Sequence, residues 1–523
     1  MKKHVWDVSR ETFWQLVVIY ALAVVVVSLG VVSRFTLHFE IFALILGVLG
    51  IGLLGGSLGM GRLNIKWKYV LIVLGVFLIV LFRVIPYIGN DVPIGYDSGI
   101  YKYAIENGLS GDDEWVARAV EPGFLYLMEP LKLIFSTDFI LSWGFIGFNL
   151  ILGASIYFFS KEYFNERVGV IAFLIYSVSV IQFEVFTYMY YKNIIGLSLM
   201  LFSFYFLRRY NKDRLKRDLV LFVILGGFLG GVHRPTFYIY GLSYFVYAFV
   251  GPYTNRNYDK KRLGLNVISG IIILLIAGSF YLGRFSPSVT GMFNPVLEGF
   301  VDTGSSPGTF LSFKSYQFLT LAYLPFALLG AFYLFKKKEY NVLMFWVLIN
   351  AGIVYFQFFF FNRFIIHLDI ALIILSGVGF SLLIDKKKKF GIILVALMLF
   401  SAGFVSLDRA RELKPLINEN GLELIKSLEN VDGKVMSLTS EYSPWVLGYS
   451  GKDVIAPGLF DENSWNESEW EIFWNSDNKD EIRELMGDYQ GEIYLFSGTR
   501  EFNNPCFELF RENGKYKVLK YGC

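Results

Sequence analysis

The chain has only two cysteines in 523 residues, Cys506 and Cys523. Both fall near the C-terminus, where they form either one disulfide in an oxidising compartment or two separate thiols. Neither arrangement points to thiol catalysis. No Walker motif is present and no GxGxxG follows a strand, so ATP-driven transport has no support. Charged residues make up only 18% of the chain. The basic ones form short runs beside apolar stretches, the pattern of a membrane border and not of a nucleic-acid patch. No cleavable signal peptide is expected: residues 13–33 are too long for a signal h-region and have no small-residue cleavage site.

What the chain has in quantity is apolar surface, 54% of its residues. A soluble domain cannot bury that much, so the expected class is an all-α polytopic membrane protein. Spans of roughly 20 apolar residues are expected at 13–33, 39–60, 69–89, 138–160, 168–183, 190–207, 219–234, 236–251, 265–284, 317–335, 341–361, 364–384 and 390–407. At 183–190 and 234–236 a single bent helix competes with two. Basic runs at 62–68, 208–217, 256–262, 336–338 and 386–389 fall on one side under this count of about thirteen spans. That side and the N-terminus are assigned to the cytoplasm by the positive-inside rule. The Gly-rich stretches 50–61 and 226–231 have the small-residue spacing of helix packing in lipid.

Two domains are expected: a membrane domain, 1–407, with outer loops at 90–137 and 285–316, and a small extracytoplasmic α/β domain, 408–523. In the tail, Pro415–Leu428 reads as a helix, and Lys434–Thr439, Asp453–Ala456 and Glu492–Phe496 as strands. Glu508–Tyr521 reads as a hairpin around Asn513-Gly514, a type I′ pair. Trp465, Trp470 and Trp474 are read as a sugar platform or as core and interface packing. Asn466-Glu467-Ser468 is a glycosylation sequon.

The first outer loop carries Asp97 in GYDSGIY and Glu121 in VEPGFLY. The topology places further polar groups at the same outer helix ends: Asp91, Glu184, Lys192, His233, Arg234, Asn362 and Arg363. Ionisable groups at membrane depth are costly and face cavities or partners. Acids and bases recurring on one side suit a site that binds an anionic headgroup and removes a proton. Arg and Lys stabilise charge on a departing lipid phosphate, so Lys192, Arg234 and Arg363 are candidate phosphate contacts. The acceptor hydroxyl needs a base, assigned to Asp97. The competing reading of Asp97 is the N-cap of a helix over Ser98–Asn107. Glu121 either orients the donor or joins Asp97 and His233 around a divalent metal, Mg, Mn or Zn. For His233, a hydrogen-bonded helix end without metal is the competing reading.

These residues resemble a family. GT-C membrane glycosyltransferases, such as protein O-mannosyltransferases and aminoarabinose transferases, carry an acidic motif in the first large outer loop, followed by Tyr and Ala. Asp97, Tyr101 and Ala104 match it, with Ser98 where a second acid often stands. Glu121, Pro122, Leu125 and Tyr126 resemble the Glu-Pro and Leu-Tyr steps that follow. YYKNIIGL (190–197), HRPT (233–236), NRFIIHLDIALIILSGVGF (362–380) and SEYSPWVLGYSGKDVIAPG (440–458) are similar to later segments. The resemblance implies a GT-C fold, a polyprenyl-phosphate sugar donor, and a lipid, glycan or protein acceptor. It also implies Asp97 as catalytic carboxylate, Glu121 as donor or metal contact, and Tyr101 and His233 beside the substrate. The WWDYG motif of oligosaccharyltransferases is absent. EPGF with a later helix-end His also resembles EpsG- or Wzy-type polysaccharide polymerases, which usually lack a folded tail. A lipid-linked sugar flippase is the non-enzyme alternative; it expects ionisable residues along a through-path.

Overall fold

The computed structural model describes residues 67–108, 114–254, 260–282, 310–358 and 361–523. The expected spans 13–33 and 39–60 and most of the loop 285–316 lie outside them. The described chain is mostly helical. Loop helices α2 (Ser98–Asn107), α3 (Glu114–Ala119) and α4 (Pro122–Lys132) follow α1 (Trp67–Val84). Then come α5 (Phe145–Tyr163), α6 (Glu166–Val178), α7 (Val180–Thr187), α8 (Tyr191–Asp213), α9 (Lys216–Val232), α10 (Arg234–Thr254) and α11 (Lys260–Ser279). The bundle closes with α12 (Phe313–Thr320), α13 (Leu324–Lys337), α14 (Val342–Tyr355), α15 (Phe361–Lys386) and α16 (Lys388–Glu412).

Both doubtful breaks are real helix boundaries. Met189 takes a left-handed φ of 57° between α7 and α8, and His233 is extended between α9 and α10. Two further breaks were not expected. The run 168–183 bends by 52° at Ser179, whose hydroxyl caps α7 by accepting from the Gln182 N–H. The run 317–335 bends by 76° before Pro325, which suits the first turn of α13 because it lacks an N–H. Among the described residues, four helices are long and apolar enough to cross a membrane alone, or six when each bent pair is one span. The expected count of thirteen is not confirmed by this measure: two of the spans lie outside the described residues, α9 has only 17 residues, and polar residues interrupt α8 and α10.

Helix α15 runs through the centre of the bundle, with 94% of its apolar window buried. It meets α13 through small residues: a Cβ on Gly379 would come within 2.0 Å of the Phe326 carbonyl oxygen. The 226–231 glycines likewise seat α9 on Ile276 and Ala277 of α11, the packing role expected of them.

The tail adds α17 (Glu419–Lys426), α18 (Ser443–Ser450), α19 (Glu467–Asn475) and α20 (Lys479–Met486). Its strands are β1 (Lys434–Ser437), β2 (Val454–Ile455), β3 (Ile493–Gly498), β4 (Phe507–Asn513) and β5 (Tyr516–Tyr521). The sheet order is β2-β1-β3-β5-β4, parallel across the first three and antiparallel across the last three. Side chains alternate between two cores. Val435, Tyr494, Phe496 and Val518 join the core of the helical bundle, whereas Met436, Ile493, Leu495 and Leu519 pack under α19 and α20. Trp465 and Trp470 belong to that second core at 3% and 1% exposure, so they cannot form a sugar platform; Trp474 is exposed. Asn466 caps α19 in a capping box. Cys506 and Cys523 form a disulfide. The hairpin turn is Gly514–Lys515, one residue later than expected, and only its Gly514 has positive φ, as a II′ turn requires.

Candidate active site

A cavity of about 500 Å³ opens between the loop helices and the N-terminal ends of α8, α10 and α15. Asp97, Tyr101, Glu121, Lys192, His233, Arg234 and Arg363 all line it. Residues 266 positions apart in sequence thus share one wall system because three helices begin at the same level. Glu184 does not line the cavity; it pairs with Arg409 at 3.6 Å. Asp91 is exposed and lies outside it as well.

Glu121 is the centre of an ion cluster. It precedes α4, yet its side chain does not cap that helix. Lys192 Nζ donates to Oε2 at 2.5 Å, while the Arg234 backbone N–H and Nε donate to Oε1 at 3.2 and 3.4 Å. The carboxylate is only 3% exposed. Burial works to raise its pKa, but the charges of Lys192 and Arg234 beside it outweigh burial and hold it down at about 2. Lys192 Nζ also donates to the Ala119 carbonyl, and Arg234 Nη2 to the Arg118 carbonyl at 2.6 Å. The cations are therefore fixed to the C-terminal end of α3.

Asp97 has a different setting. It stands at the N-cap of α2, which starts at Ser98 as the sequence predicts, but makes no side-chain cap hydrogen bond. The side chain is half-buried and faces the cavity. Burial pushes its carboxyl up to about 6, against the pull of Arg363 and Lys192; water in the open cavity limits that push. Tyr101 lies one turn on, with its hydroxyl bonded to the Lys192 backbone and its ring against Phe124 and Tyr191.

His233 Nδ1 lies 2.7 Å from Thr236 Oγ1, which lies 2.8 Å from His367 Nε2. The Thr236 N–H also points at Nδ1, at 3.4 Å. Nδ1 is thus an acceptor, and the ring proton belongs on Nε2. Thr236 and His367 were missed in the sequence. Thr236 stands three residues after His233 on a helix start, a spacing that could have exposed it.

The expected metal set is not gathered. Among the described residues no group of three or more His, Cys, Asp or Glu comes together. Both Glu121 oxygens are taken by cations, and His233 Nδ1 is engaged with Thr236. Asp97, Glu121 and His233 do not fit a protein-held divalent ion.

Mid-bundle ionisable groups exist after all. Arg83 is 1% exposed, donates to Asn149 Oδ1 at 2.9 Å, and lies over the Tyr176 and Phe186 rings. Asp369 is fully buried and accepts from Gln182 Nε2 at 2.7 Å, Ser179 Oγ at 3.3 Å and the Tyr323 hydroxyl. Neither lines the cavity.

The helical bundle with its polar cavity and small sheet domain has the fold of GT-C glycosyltransferases of known structure. The family model described as dolichyl-phosphate-mannose-protein mannosyltransferase matches residues 121–280. Among solved structures, the Archaeoglobus fulgidus oligosaccharyltransferase AglB, in complex with an inhibitory peptide and a dolichol-phosphate, aligns with a TM-score of 0.60 at 12% identity, covering 82% of this chain and 69% of AglB. ArnT from Cupriavidus metallidurans bound to undecaprenyl phosphate aligns with a TM-score of 0.58 at 10% identity, covering 88% and 98%. A further AglB structure, with Zn and sulfate, aligns at 0.51 and 13% identity, covering 82% and 68%. No curated protein matches the chain in sequence.

Proposed function

We propose that this chain is a glycosyltransferase that moves a hexosyl or pentosyl group from a polyprenyl-phosphate carrier to an acceptor outside the cytoplasm. The observation that carries the reading is the cavity in which Asp97 faces three cations. ArnT with undecaprenyl phosphate and AglB with dolichol-phosphate, two proteins of this fold, favour a lipid phosphate as occupant. Lys192, Arg234 and Arg363 against Asp97 and Glu121 leave one net positive charge, which the single negative charge of a sugar phosphodiester balances. A diphosphate carrier would leave an excess of negative charge.

In this mechanism Glu121 does not touch the substrate. It stays ionised and holds Lys192 and Arg234 as a preorganised pair, which meets charge developing on the departing phosphate at no reorganisation cost. His233, neutral with its proton on Nε2, adds a donor. A lipid phosphate is a weak base and needs little protonation to leave. The acceptor hydroxyl gives its proton to Asp97 as it attacks the anomeric carbon. Direct attack opposite the leaving phosphate inverts the anomeric centre. The membrane domain would be 1–407 and the α/β domain 408–523; the disulfide in the latter supports an extracytoplasmic, oxidising location.

The test uses membranes containing the protein, given labelled polyprenyl-phosphate sugars and their diphosphate-linked counterparts. Covalent transfer from the monophosphate donor is expected. Movement of the label across the membrane with no covalent change would overturn the reading in favour of a flippase.

A further inference from the structure

The tail touches the loop region at three places, two of them involving α2 and one α3. The closest is backbone against backbone. A Cβ on Gly99 would lie 1.8 Å from the Pro444 carbonyl oxygen, and one on Gly448 would lie 2.2 Å from the Gly99 carbonyl oxygen. Real Cβ atoms do not approach that closely, so only glycine allows α2 and α18 to meet. Gly99 is two residues from Asp97, in the first turn of the same helix.

The second contact is polar. Tyr449 of α18 donates its hydroxyl to Asp138 at 2.8 Å. Lys102 of α2 pairs with the same carboxylate at 3.2 Å and lies 4.7 Å over the Tyr449 ring. The third contact reaches α3. Asp461 accepts from the Trp115 N–H at 3.1 Å and from Arg118 at 3.2 Å, and Phe460 meets the Trp115 ring edge-on. The end of α3 supplies the Ala119 and Arg118 carbonyls that hold Lys192 and Arg234.

We infer that the C-terminal domain is a positioning element for the reaction, with Gly99 and Gly448 setting the place of Asp97 and Asp461 setting that of the phosphate-binding cations. The inference rests on the proposed function and adds residues that do not touch substrate. Two short helices in a loop have too little buried surface to hold their own geometry. The tail supplies that geometry from outside, separately for the base and for the cations.

The experiment measures the affinity of the purified full-length protein for undecaprenyl phosphate between pH 5 and 8, for wild type, Asp97→Asn, Gly448→Ala, Tyr449→Phe and Asp461→Asn. Ionised Asp97 repels the phosphate, so wild-type affinity should break near pH 6 beyond the titration of the lipid itself. Asp97→Asn should lack that break. Gly448→Ala should keep the pH 5 affinity within about twofold and move the break down by about one pH unit, as Asp97 turns toward water. Asp461→Asn should weaken binding about tenfold at every pH, the order of one charge-assisted hydrogen bond. If Gly448→Ala fails to fold, Tyr449→Phe carries the test with a shift of about half a unit in the same direction. Wild-type profiles for the tail variants, with the break lost in Asp97→Asn, would overturn this inference and leave the proposed site standing. An unchanged profile in Asp97→Asn would overturn the role of Asp97 itself.

Discussion

The cavity around Glu121 and the knot around Asp369 both place carboxylates in apolar surroundings, and they resolve the cost in opposite ways. Asp369 is closed off by three neutral donors, two of them at the helix breaks. Gln182 carries this further, since its amide donates to Asp369 while its backbone carbonyl accepts from Arg83 at 3.5 Å. The knot holds two bent helix pairs together and does not line the cavity around Glu121. In the cavity, Glu121 is tied to two full cations, and Asp97 and Arg363 line the same open volume. Buried charge alone therefore does not mark the site. Charge arranged around an open volume does.

The comparison can be broken most sharply at Lys192. Lys192→Ala leaves Glu121 with a buried charge half compensated, and should destabilise the protein by about 3–5 kcal/mol. Undecaprenyl phosphate affinity should fall with it, by about 100-fold if a desolvated charge pair is lost. Lys192→Arg should recover part of both. Thermal melting with and without the lipid separates the two losses, and a variant that melts and binds like wild type would contradict the cluster.

A smaller effect tests Asp97 against Glu121. The Asp97 carboxyl is raised to about 6 and must be ionised to act as base, whereas Glu121 at about 2 stays ionised throughout. Transfer should therefore drop about tenfold from pH 7 to pH 5 with the slope of a single proton. Stability should move the other way. The folded chain binds the Asp97 proton more tightly than the unfolded chain, so stability declines slightly as pH rises from about 4 to 6. Glu121, with its lowered value, contributes stability above the ordinary carboxylate range and loses it only as pH falls toward 2. A flat rate between pH 5 and 7 would contradict the assignment.

The smallest change in transfer is expected from Asp369→Asn. It removes an acceptor from a knot of donors and should cost about 1–3 kcal/mol of stability. Transfer, measured below the melting range, should stay within about threefold of wild type. A far larger loss would show that the knot acts on the cavity, and the comparison would need redrawing.

Lys192, His233, Arg234 and Arg363 were legible in the sequence because each is an ionisable group at the end of an apolar run, where only a cavity or a partner explains it, and Asp97 and Glu121 because they stand in a polar loop between such runs. Helix boundaries at Met189 and His233 were half legible, since polar residues thin out the apolar signal there. The bend at Ser179 was not, because apolar residues continue through it and a single serine carries the break. The tail sheet followed from alternation and turn signals, but the turn shifted by one residue since Gly514 and not Asn513 takes the positive φ. Gly99 and Gly448 gave no signal at all. Their role depends on a contact between segments some 350 residues apart, which no local pattern encodes.

The central claim is that Asp97 takes a proton beside a preorganised phosphate site. Asp97→Asn tests it most directly when melting, undecaprenyl phosphate binding and sugar transfer are measured on the same preparation. The variant should melt slightly higher, because a partly desolvated charge is removed. It should bind the lipid at least as well as wild type, and lose transfer by about a thousandfold. A folded Asp97→Asn protein that transfers sugar at the wild-type rate would contradict the account.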